Sequence, residues 1–325
     1  MAADTGTLPH PGADSRVQFP NLETVRETGL KTLLEVLRLA TGYLEEKGIQ
    51  PARLEAEKML ASVVGTNRLG LYLKFDRPLA DPELDRLRQM LRRRIAREPL
   101  QYIIGETGFR ELSLRVGPGV MVPRPETEGL VQLVLDWLDR RRADPGKARR
   151  EFKVIELCCG SGAAGLSTAL ERDFVNVLLS DISIESLKYA AENSGRLGAK
   201  LAGRVNLLCS DLFAAVGKAA GFDVVMANPP YVSPQEMQSL PDEVRLHEPR
   251  MALDGGEPDG TVVIGRIVAE ADDFLAPGGL LALEIGERQR APVGAIFEKC
   301  GAAYTECAFH PDLAGRTRYV TAEKS

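Results

Sequence analysis

The sequence predicts an α/β fold with a doubly wound, mostly parallel sheet, preceded by a small helical domain and a connecting β-hairpin. Three observations support this prediction. Short apolar runs alternate with helical stretches after residue 150, a glycine-rich turn joins the first run to its helix, and residues 22–105 have helical periodicity. The 325 residues suffice for about two domains. We expect a disordered lead at 1–21, a helical domain at 22–105, a hairpin at 106–122 and the α/β domain at 123–325.

The composition is that of an ordinary soluble protein, with 44% hydrophobic and 27% charged residues. No apolar run reaches the roughly 18 residues that a membrane-spanning helix needs, and the net charge of −5 indicates no general affinity for nucleic acid. The five cysteines lack C-x-x-C spacing and only three histidines are present, which argues against disulfides and against a metal site. We therefore expect a cytoplasmic protein with reduced thiols, no metal and no membrane partner.

The helical domain is predicted to contain three helices. Leucines between Leu30 and Leu37 repeat with a helical period in the first, and Pro51 opens the second. The third begins at Asp81-Pro82-Glu83, where an acceptor cap, a first-turn proline and an early acid coincide. Arginines without an intervening acid follow, and they form either a solvated face or a docking surface for an acidic or RNA-associated partner. These arginines are Arg86, Arg88, Arg92, Arg93, Arg94 and Arg97.

A hairpin and then a helix are predicted between the helical domain and the first strand of the sheet. Apolar residues alternate between Phe109 and Val116, and the turn signal Gly117-Pro118-Gly119 follows. We therefore expect the hairpin to turn at 117–119. Glu126 and Glu128 come next, and we interpret them as the acidic first turn of a helix rather than as catalytic carboxylates.

The sheet begins with a strand, a glycine loop and a helix, the arrangement of a nucleotide-binding turn. The loop, Cys158-Cys159-Gly160-Ser161-Gly162, follows an apolar run that ends at Leu157. Glycines let the backbone approach a ligand, and the free N–H groups of the helix start favour electron-rich atoms. Gly160, Gly162 and Gly165 also match the dinucleotide pattern G-x-G-x-x-G, so a nicotinamide-dependent dehydrogenase remains an alternative on this loop alone.

Two later apolar runs end in acids that are suited to bind a nucleoside. Asp181 lies about 20 residues after the glycines, where a carboxylate accepts both ribose hydroxyls. The next run ends at Asp211-Leu212. We expect Asp211 to accept a hydrogen bond from an adenine amino group and Leu212 to pack on the ring.

The tetrapeptide Asn228-Pro229-Pro230-Tyr231 follows the fourth predicted strand. Each proline lacks an N–H, so the turn presents carbonyl acceptors but few donors. Asn228 adds a side-chain carbonyl, and Tyr231 adds a flat apolar face. Two acceptors beside an aromatic wall suit a planar NH2 group of an amide or an aminated base, although the same residues also form ordinary strand-ending turns.

These segments should meet at one edge of the sheet, because ligands of doubly wound sheets bind at the carboxyl ends of the strands. S-adenosyl-L-methionine carries a ribose, an adenine and a transferable methyl group, so it uses all of the predicted parts. No His or Tyr/Lys arrangement typical of hydride transfer is evident. The pattern therefore favours a methyltransferase over a dehydrogenase.

The chain after residue 22 resembles the HemK-type protein-(glutamine-N5) methyltransferases that modify peptide chain release factors. Segments that match the family occur in its order and spacing, and together they are highly specific. They include 98–105 with Phe109, 123–128, the glycine loop, Asp181, 228–231, 248–253 with Gly255 and Gly256, 283–286 with Gln289, and 312–318. The chain departs from the family at Cys158, where glycine is usual, and at Ala227, where serine is common.

The resemblance implies a class I methyltransferase domain with a seven-stranded sheet, and a helical domain that helps to bind the substrate protein. It implies that the glycine loop residues Cys158, Cys159, Gly160, Ser161 and Gly162 bind S-adenosyl-L-methionine together with Asp181 and Asn228, and that Asp211 and Leu212 contact its adenine. Asn228, Pro229, Pro230 and Tyr231 would hold the acceptor glutamine of a release-factor GGQ motif, with Asn228, Pro229 and Tyr231 as catalytic residues. The expected partners are class I release factors, with no direct nucleic-acid substrate.

Three alternatives stay open at this point. A ribosomal-protein glutamine methyltransferase would share the whole plan. A DNA adenine N6-methyltransferase also uses an Asn/Asp-Pro-Pro-aromatic turn, but it would need a base-reading domain and a basic cleft. A non-enzymatic factor-binding scaffold would not need the glycine loop, Asp181 and Asn228, all of which are present.

Overall fold

The computed structural model describes residues 32–144, 151–201, 203–218 and 221–325. The chain forms two compact units, one up to Ala96 and one from Arg97 onward. The lead predicted at 1–21 and the predicted helical residue Leu30 lie outside the described residues. Within the described ranges, no helix has both the length and the apolar content needed to cross a bilayer.

The first unit contains four helices among its described residues, not the three that were predicted. They are α1 (Leu33–Glu46), α2 (Ala52–Val63), α3 (Arg68–Tyr72) and α4 (Asp81–Ile95). Thr32 caps α1 by accepting the Glu35 N–H, while the Glu35 carboxylate accepts the Thr32 N–H. The short helix α3 was missed because it has five residues and no apolar stripe of helical period.

One arginine of α4 belongs to the core of the first unit. Arg94 is buried and donates two hydrogen bonds to the Glu55 carboxylate of α2, at 2.6 and 3.1 Å. This ion pair joins two helices, so Arg94 is neither part of a solvated face nor of a docking surface. The remaining arginines keep both interpretations open.

The second unit begins with a short helix and a hairpin. These elements are α5 (Leu100–Ile104), β1 (Glu106–Phe109) and β2 (Leu112–Arg115). The strands are antiparallel with Phe109 opposite Leu112, so the chain reverses at Arg110 and Glu111. The prediction of a turn at 117–119 is therefore wrong. The proposed role of residues 22–105 as a separate substrate-binding domain stays a prediction, and α5 packs within the second unit.

Contacts distant in sequence explain the position of this turn. Arg110 has a positive φ of 48°, which is uncommon for a residue with a side chain. Its guanidinium donates to the Glu171 carboxylate at 2.6 and 2.7 Å, and its N–H donates to the Glu128 side chain at 3.0 Å. These partners hold Arg110 in the conformation that the turn requires.

Seven strands of the described residues form one sheet, as predicted. The strands are β3 (Phe152–Leu157), β4 (Val175–Asp181), β5 (Val205–Cys209), β6 (Phe222–Ala227), β7 (Leu275–Glu284), β8 (Tyr304–Pro311) and β9 (Thr317–Lys324). Their order is β5-β4-β3-β6-β7-β9-β8, and β9 runs in the opposite direction to the other six strands. The direction of winding changes between β3 and β6, which is where ligands of such sheets bind.

Helices cover both faces of this sheet, so its central strands are apolar on both sides. They are α6 (Thr127–Ala143), α7 (Ala163–Glu171), α8 (Ile184–Leu197), α11 (Val262–Ala271) and α12 (Arg290–Lys299). The short helices α9 (Pro234–Met237) and α10 (Asp242–His247) follow the Asn-Pro-Pro-Tyr turn and have no buried residue. Val154 of β3 packs in one buried cluster and the next residue, Ile155, in the other. Adjacent strand residues point to opposite faces, so this double burial explains the nearly continuous apolar runs in the sequence.

Candidate active site

A cavity of about 560 Å³ lies at the carboxyl ends of β3, β4, β5 and β6. Its volume is within the range of small-molecule sites. The structure brings most of the sequence-predicted site residues together in its wall. The predicted residues that line it are Cys158, Cys159, Gly160, Ser161, Asp181, Asp211, Leu212, Asn228 and Pro230.

The other predicted residues, Gly162, Pro229 and Tyr231, are not part of the lining that the described residues form. Gly162 precedes α7 with a φ of 79°, and a β-carbon there would meet Leu179 and Leu166 at 3.0 to 3.1 Å. Its contacts therefore explain why glycine is required for the turn. The binding and catalytic roles assigned to all of these residues stay predictions.

The Asp181 carboxylate connects the loops that follow β3 and β4. One oxygen accepts the Gly160 N–H and the other accepts the Ser183 N–H, both at 2.8 Å. Burial raises the pKa of Asp181, although these N–H groups oppose that shift. Each carboxylate oxygen can accept more than one hydrogen bond, so Asp181 retains capacity for the hydroxyls of a ribose.

Cys158 takes a backbone conformation that favours glycine. Its φ is 53°, in the left-handed region, where a residue with a β-carbon costs about 1–2 kcal/mol. The loop therefore keeps the conformation expected of glycine at this position. Burial raises the pKa of the Cys158 thiol, so the group is a neutral wall residue and not a thiolate nucleophile.

Sequence reasoning missed Glu156, a buried acid in the cavity wall. Its carboxylate accepts the Gly165 N–H at 2.7 Å and so holds the start of α7. Burial raises its pKa to about 8. An acid inside the apolar run of β3 was the signal that could have found it, because such strands rarely contain an unpaired charge.

Arg266 of α11 was also missed. It donates to both oxygens of Asp211, at 3.0 and 3.1 Å, and it lines the cavity beside Leu212. This pair orients Asp211 at the cavity edge, and the carboxylate keeps lone pairs for a further donor. The prediction that Asp211 accepts from an adenine amino group therefore concerns a carboxylate that is already paired.

A chain of hydrogen bonds holds Asn228. Its Nδ2 donates to Thr127 Oγ1 at 3.0 Å, and the Thr127 hydroxyl donates to Glu284 Oε2 at 2.7 Å. The Tyr231 hydroxyl donates to the other oxygen, Glu284 Oε1, at 3.2 Å. Glu284 is only 1% exposed, and burial raises its pKa to about 7. The observed polar contact of Tyr231 is thus with the protein, whereas the sequence assigned its ring to a substrate wall.

Hydrogen bonds from the Gln289 side chain fix the backbone of the Asn-Pro-Pro-Tyr turn. Gln289 Nε2 donates to the Tyr231 carbonyl at 2.9 Å and to the Asp259 carbonyl at 2.7 Å, while its Oε1 accepts the Gly286 N–H at 2.8 Å. A β-carbon at Gly260 would lie 2.2 Å from the Tyr231 carbonyl oxygen. Only glycine fits at that position, so the turn has little room to move.

An ion pair between a half-buried arginine and a buried glutamate connects the chain before α6 to another part of the cavity wall. Arg124 donates to Glu248 at 2.6 Å, and Glu248 also accepts the Val122 N–H at 3.3 Å. Burial raises the pKa of Glu248, while Arg124 opposes the shift. Pro249, which follows Glu248, lines the cavity, so this pair supports the wall without facing it.

Family models match both units of the chain. Residues 35–105 match the PrmC N-terminal domain, and residues 132–257 match the methyltransferase small domain. A solved structure titled as a release factor-specific protein-(glutamine-N5) methyltransferase from Alicyclobacillus acidocaldarius is 24% identical, with a TM-score of 0.37, over 65% of this chain and 99% of that chain.

Curated relatives match nearly the whole chain. The release factor glutamine methyltransferase of Geobacter sulfurreducens is 38% identical over 89% of this chain and 95% of that protein. The human MTRF1L release factor glutamine methyltransferase is 33% identical over 91% of this chain and 89% of that protein. With this identity over this length, the chain belongs to the release factor glutamine methyltransferase family.

Proposed function

We propose that this protein transfers a methyl group from S-adenosyl-L-methionine to the side-chain amide nitrogen of a glutamine in the GGQ motif of a peptide chain release factor. One observation carries the proposal. The Asn228 carboxamide and the Asp181 carboxylate face the same cavity, and each is held by hydrogen bonds that leave it acceptor capacity. A nucleoside and an amide can therefore meet there, and membership of the family supports this combination.

The residues of the cavity fit the donor. Asp181 would accept the ribose hydroxyls, the loop from Cys158 to Gly162 would lie against the amino-acid part, and Asp211 with Leu212 would meet the adenine. When bound, S-adenosyl-L-methionine supplies an electrophilic methyl carbon on a sulfonium. The cavity wall would orient this carbon toward Asn228.

The acceptor needs orientation more than activation. An amide nitrogen is a poor nucleophile because its lone pair is delocalised. The Asn228 Oδ1 and the Pro229 carbonyl would accept its two N–H groups and align nitrogen, carbon and sulfur for in-line displacement, an effect that can contribute several kcal/mol, in the range of about 3–10. The nitrogen–carbon bond forms as the carbon–sulfur bond breaks. The electron pair of the broken carbon–sulfur bond stays on sulfur in S-adenosyl-L-homocysteine. The surplus proton leaves to solvent without a general base.

The partner proposal follows from the same chemistry. Class I release factors carry the glutamine, so no nucleic acid needs to bind as a substrate. The helical domain at 22–105 would help to bind the release factor. A cytoplasmic location belongs to this proposal, because the substrate works on ribosomes.

Labelled methyl transfer tests the proposed function. The purified protein is incubated with labelled S-adenosyl-L-methionine and, separately, with a release factor, ribosomal proteins or DNA, and the modified residue is mapped by mass spectrometry. We expect label on the GGQ glutamine, and none on a release factor in which this glutamine is replaced by alanine. Label only on DNA or only on a ribosomal protein would overturn the proposal.

A further inference from the structure

The hydrogen bonds around Thr127 determine which way the Asn228 carboxamide faces. A threonine hydroxyl has one hydrogen to donate. The Thr127 hydroxyl gives it to Glu284 at 2.7 Å, so toward Asn228 it can only accept. Asn228 must then present its NH2 group to Thr127, and its Nδ2 atom lies 3.0 Å from Thr127 Oγ1. The Oδ1 atom is turned to the opposite side of the carboxamide.

This constraint matters because a carboxamide has similar shape in both orientations. Rotation by 180° would exchange the donor and the acceptor with little change in packing. In the reversed state, the NH2 of Asn228 would face the NH2 of a substrate glutamine, and two donors would meet. Only one of the two orientations can hold the acceptor amide.

We propose that Thr127 and Glu284 are positioning residues for methyl transfer, which fix the Asn228 carboxamide with its oxygen available to the substrate amide. The inference deepens the proposed function and rests on it. Thr127 is the first residue of α6 and Glu284 is the last residue of β7, so two elements distant in sequence set one orientation. Thr127 and Glu284 are 5% and 1% exposed, and Thr127 also lines the cavity.

Glu284 acts on both ends of the Asn-Pro-Pro-Tyr turn. One of its oxygens holds Asn228 through Thr127, and the other accepts the Tyr231 hydroxyl at 3.2 Å. Among the described residues, Glu284 is not in the cavity lining, so it would influence the reaction only through its neighbours. The carboxylate therefore fixes the side chains of the first and last residues of the turn together.

The ionised form of Glu284 is the one that accepts from Thr127. Burial raises the pKa of Glu284 to about 7; Arg318 of β9 and the hydroxyls of Thr127 and Tyr231 oppose the shift, and Glu126 adds to it. A protonated Glu284 could donate to Thr127, whose hydroxyl would then donate to Asn228 Oδ1 and reverse the carboxamide. Turnover should therefore fall as the pH falls through about 7.

Two substitutions of Thr127 test the positioning role with a release factor as substrate. Thr127→Val keeps the shape but removes the hydroxyl, and we expect kcat to fall about 10- to 100-fold while the affinity for S-adenosyl-L-methionine changes less than about twofold. Thr127→Ser restores the hydroxyl and should recover most of the lost kcat. Thr168→Val is the matched control, because Thr168 is a buried helical threonine outside the cavity lining whose hydroxyl bonds to the Ala164 carbonyl. It should leave kcat unchanged.

The pH profile supplies a readout that a merely structural role would not move. We expect the wild-type kcat to have an acidic limb near pH 7 and Glu284→Gln to lack it, because a glutamine does not titrate. The inference is overturned if Thr127→Val keeps wild-type kcat, if Thr127→Ser is as slow as Thr127→Val, or if the limb persists in Glu284→Gln. These results differ from failure of the proposed function, in which the wild-type protein itself would not label the release factor.

Discussion

On the proposed cofactor side of the cavity, main-chain N–H groups hold the Asp181 carboxylate, whereas on the proposed acceptor side, side chains from distant elements hold the Asn228 carboxamide. Asp181 is fixed by Gly160 and Ser183, which lie in loops that begin at adjacent strand ends. Asn228 is fixed by Thr127, which is 101 residues away, and through it by Glu284. The cofactor side depends on local backbone shape, and the acceptor side depends on the packing of the whole second unit.

The largest expected effect is on the acceptor side, in Asn228→Ala. Removing the carboxamide should lower kcat by about 10²- to 10³-fold, because the oxygen proposed to orient the substrate amide is lost. Affinity for S-adenosyl-L-methionine should remain within about threefold, since Asp181 and the glycine loop are untouched. Kinetics with a release factor and calorimetry with the cofactor separate the two quantities. Asn206→Ala, on the exposed face of β5, is the control, and unchanged turnover in Asn228→Ala would remove the residue from the mechanism.

In contrast to Asn228→Ala, Asp181→Asn should weaken the binding of S-adenosyl-L-methionine more than it lowers kcat. The asparagine amide has one oxygen, whereas the carboxylate uses one oxygen for the Gly160 N–H and the other for the Ser183 N–H. The two loops that Asp181 connects would therefore be held less firmly. We expect the Kd for S-adenosyl-L-methionine to rise about 10- to 100-fold, as for the loss of a charged hydrogen bond. At saturating cofactor, kcat should change little, because a lost contact that binds the ground state and the transition state equally raises KM and leaves kcat unchanged. The exposed Asp173→Asn is the control, and an unchanged Kd would contradict the ribose role.

Gln289→Leu tests whether the Asn-Pro-Pro-Tyr turn depends on the hydrogen bonds that Gln289 makes to its backbone. Leucine keeps much of the volume but leaves the half-buried Gly286 N–H and the Tyr231 carbonyl without this partner. We expect a fall of about tenfold in kcat and a loss of about 1–3 kcal/mol in the free energy of unfolding. Chemical denaturation and steady-state kinetics measure these, with the exposed Gln132→Leu as control. A variant that lost stability but kept kcat would show that the turn does not need this support.

Cys158→Gly should have the smallest effect. The loop already has the conformation of glycine at this position, with a φ of 53°. Relief of strain and the greater freedom of the unfolded chain oppose each other, so the free energy of unfolding should change by less than about 1 kcal/mol. Cofactor affinity should stay within about threefold. A tenfold change in affinity would mean that the thiol itself contacts the ligand.

The same contrast explains how much could be predicted from the sequence. The glycine loop, Asp181 and the Asn-Pro-Pro-Tyr turn are short patterns at the ends of apolar runs, and a parallel sheet necessarily brings such ends to one edge. The alternation of strands and helices likewise predicted the sheet. These features depend on neighbours within a few residues or on a general rule of topology.

The contacts that were missed, and the turn that was placed wrongly, depend on pairings distant in sequence. Arg110 sets the hairpin turn through Glu171, 61 residues away, and Thr127 meets Glu284 across 157 residues. No local pattern specifies such partners. Glu156 and Glu284 did carry a signal, because each is an acid in an apolar strand, but the signal indicates burial and not the identity of the partner.

A crystal structure with S-adenosyl-L-homocysteine and a glutamine-containing GGQ peptide tests the central claim most directly. We expect the glutamine side-chain nitrogen to lie about 3 Å from both Asn228 Oδ1 and the Pro229 carbonyl, with the sulfur beyond it in line. Asn228 should still donate to Thr127. A glutamine nitrogen bound elsewhere, or an Asn228 carboxamide that turns its NH2 toward the peptide, would contradict the proposed mechanism.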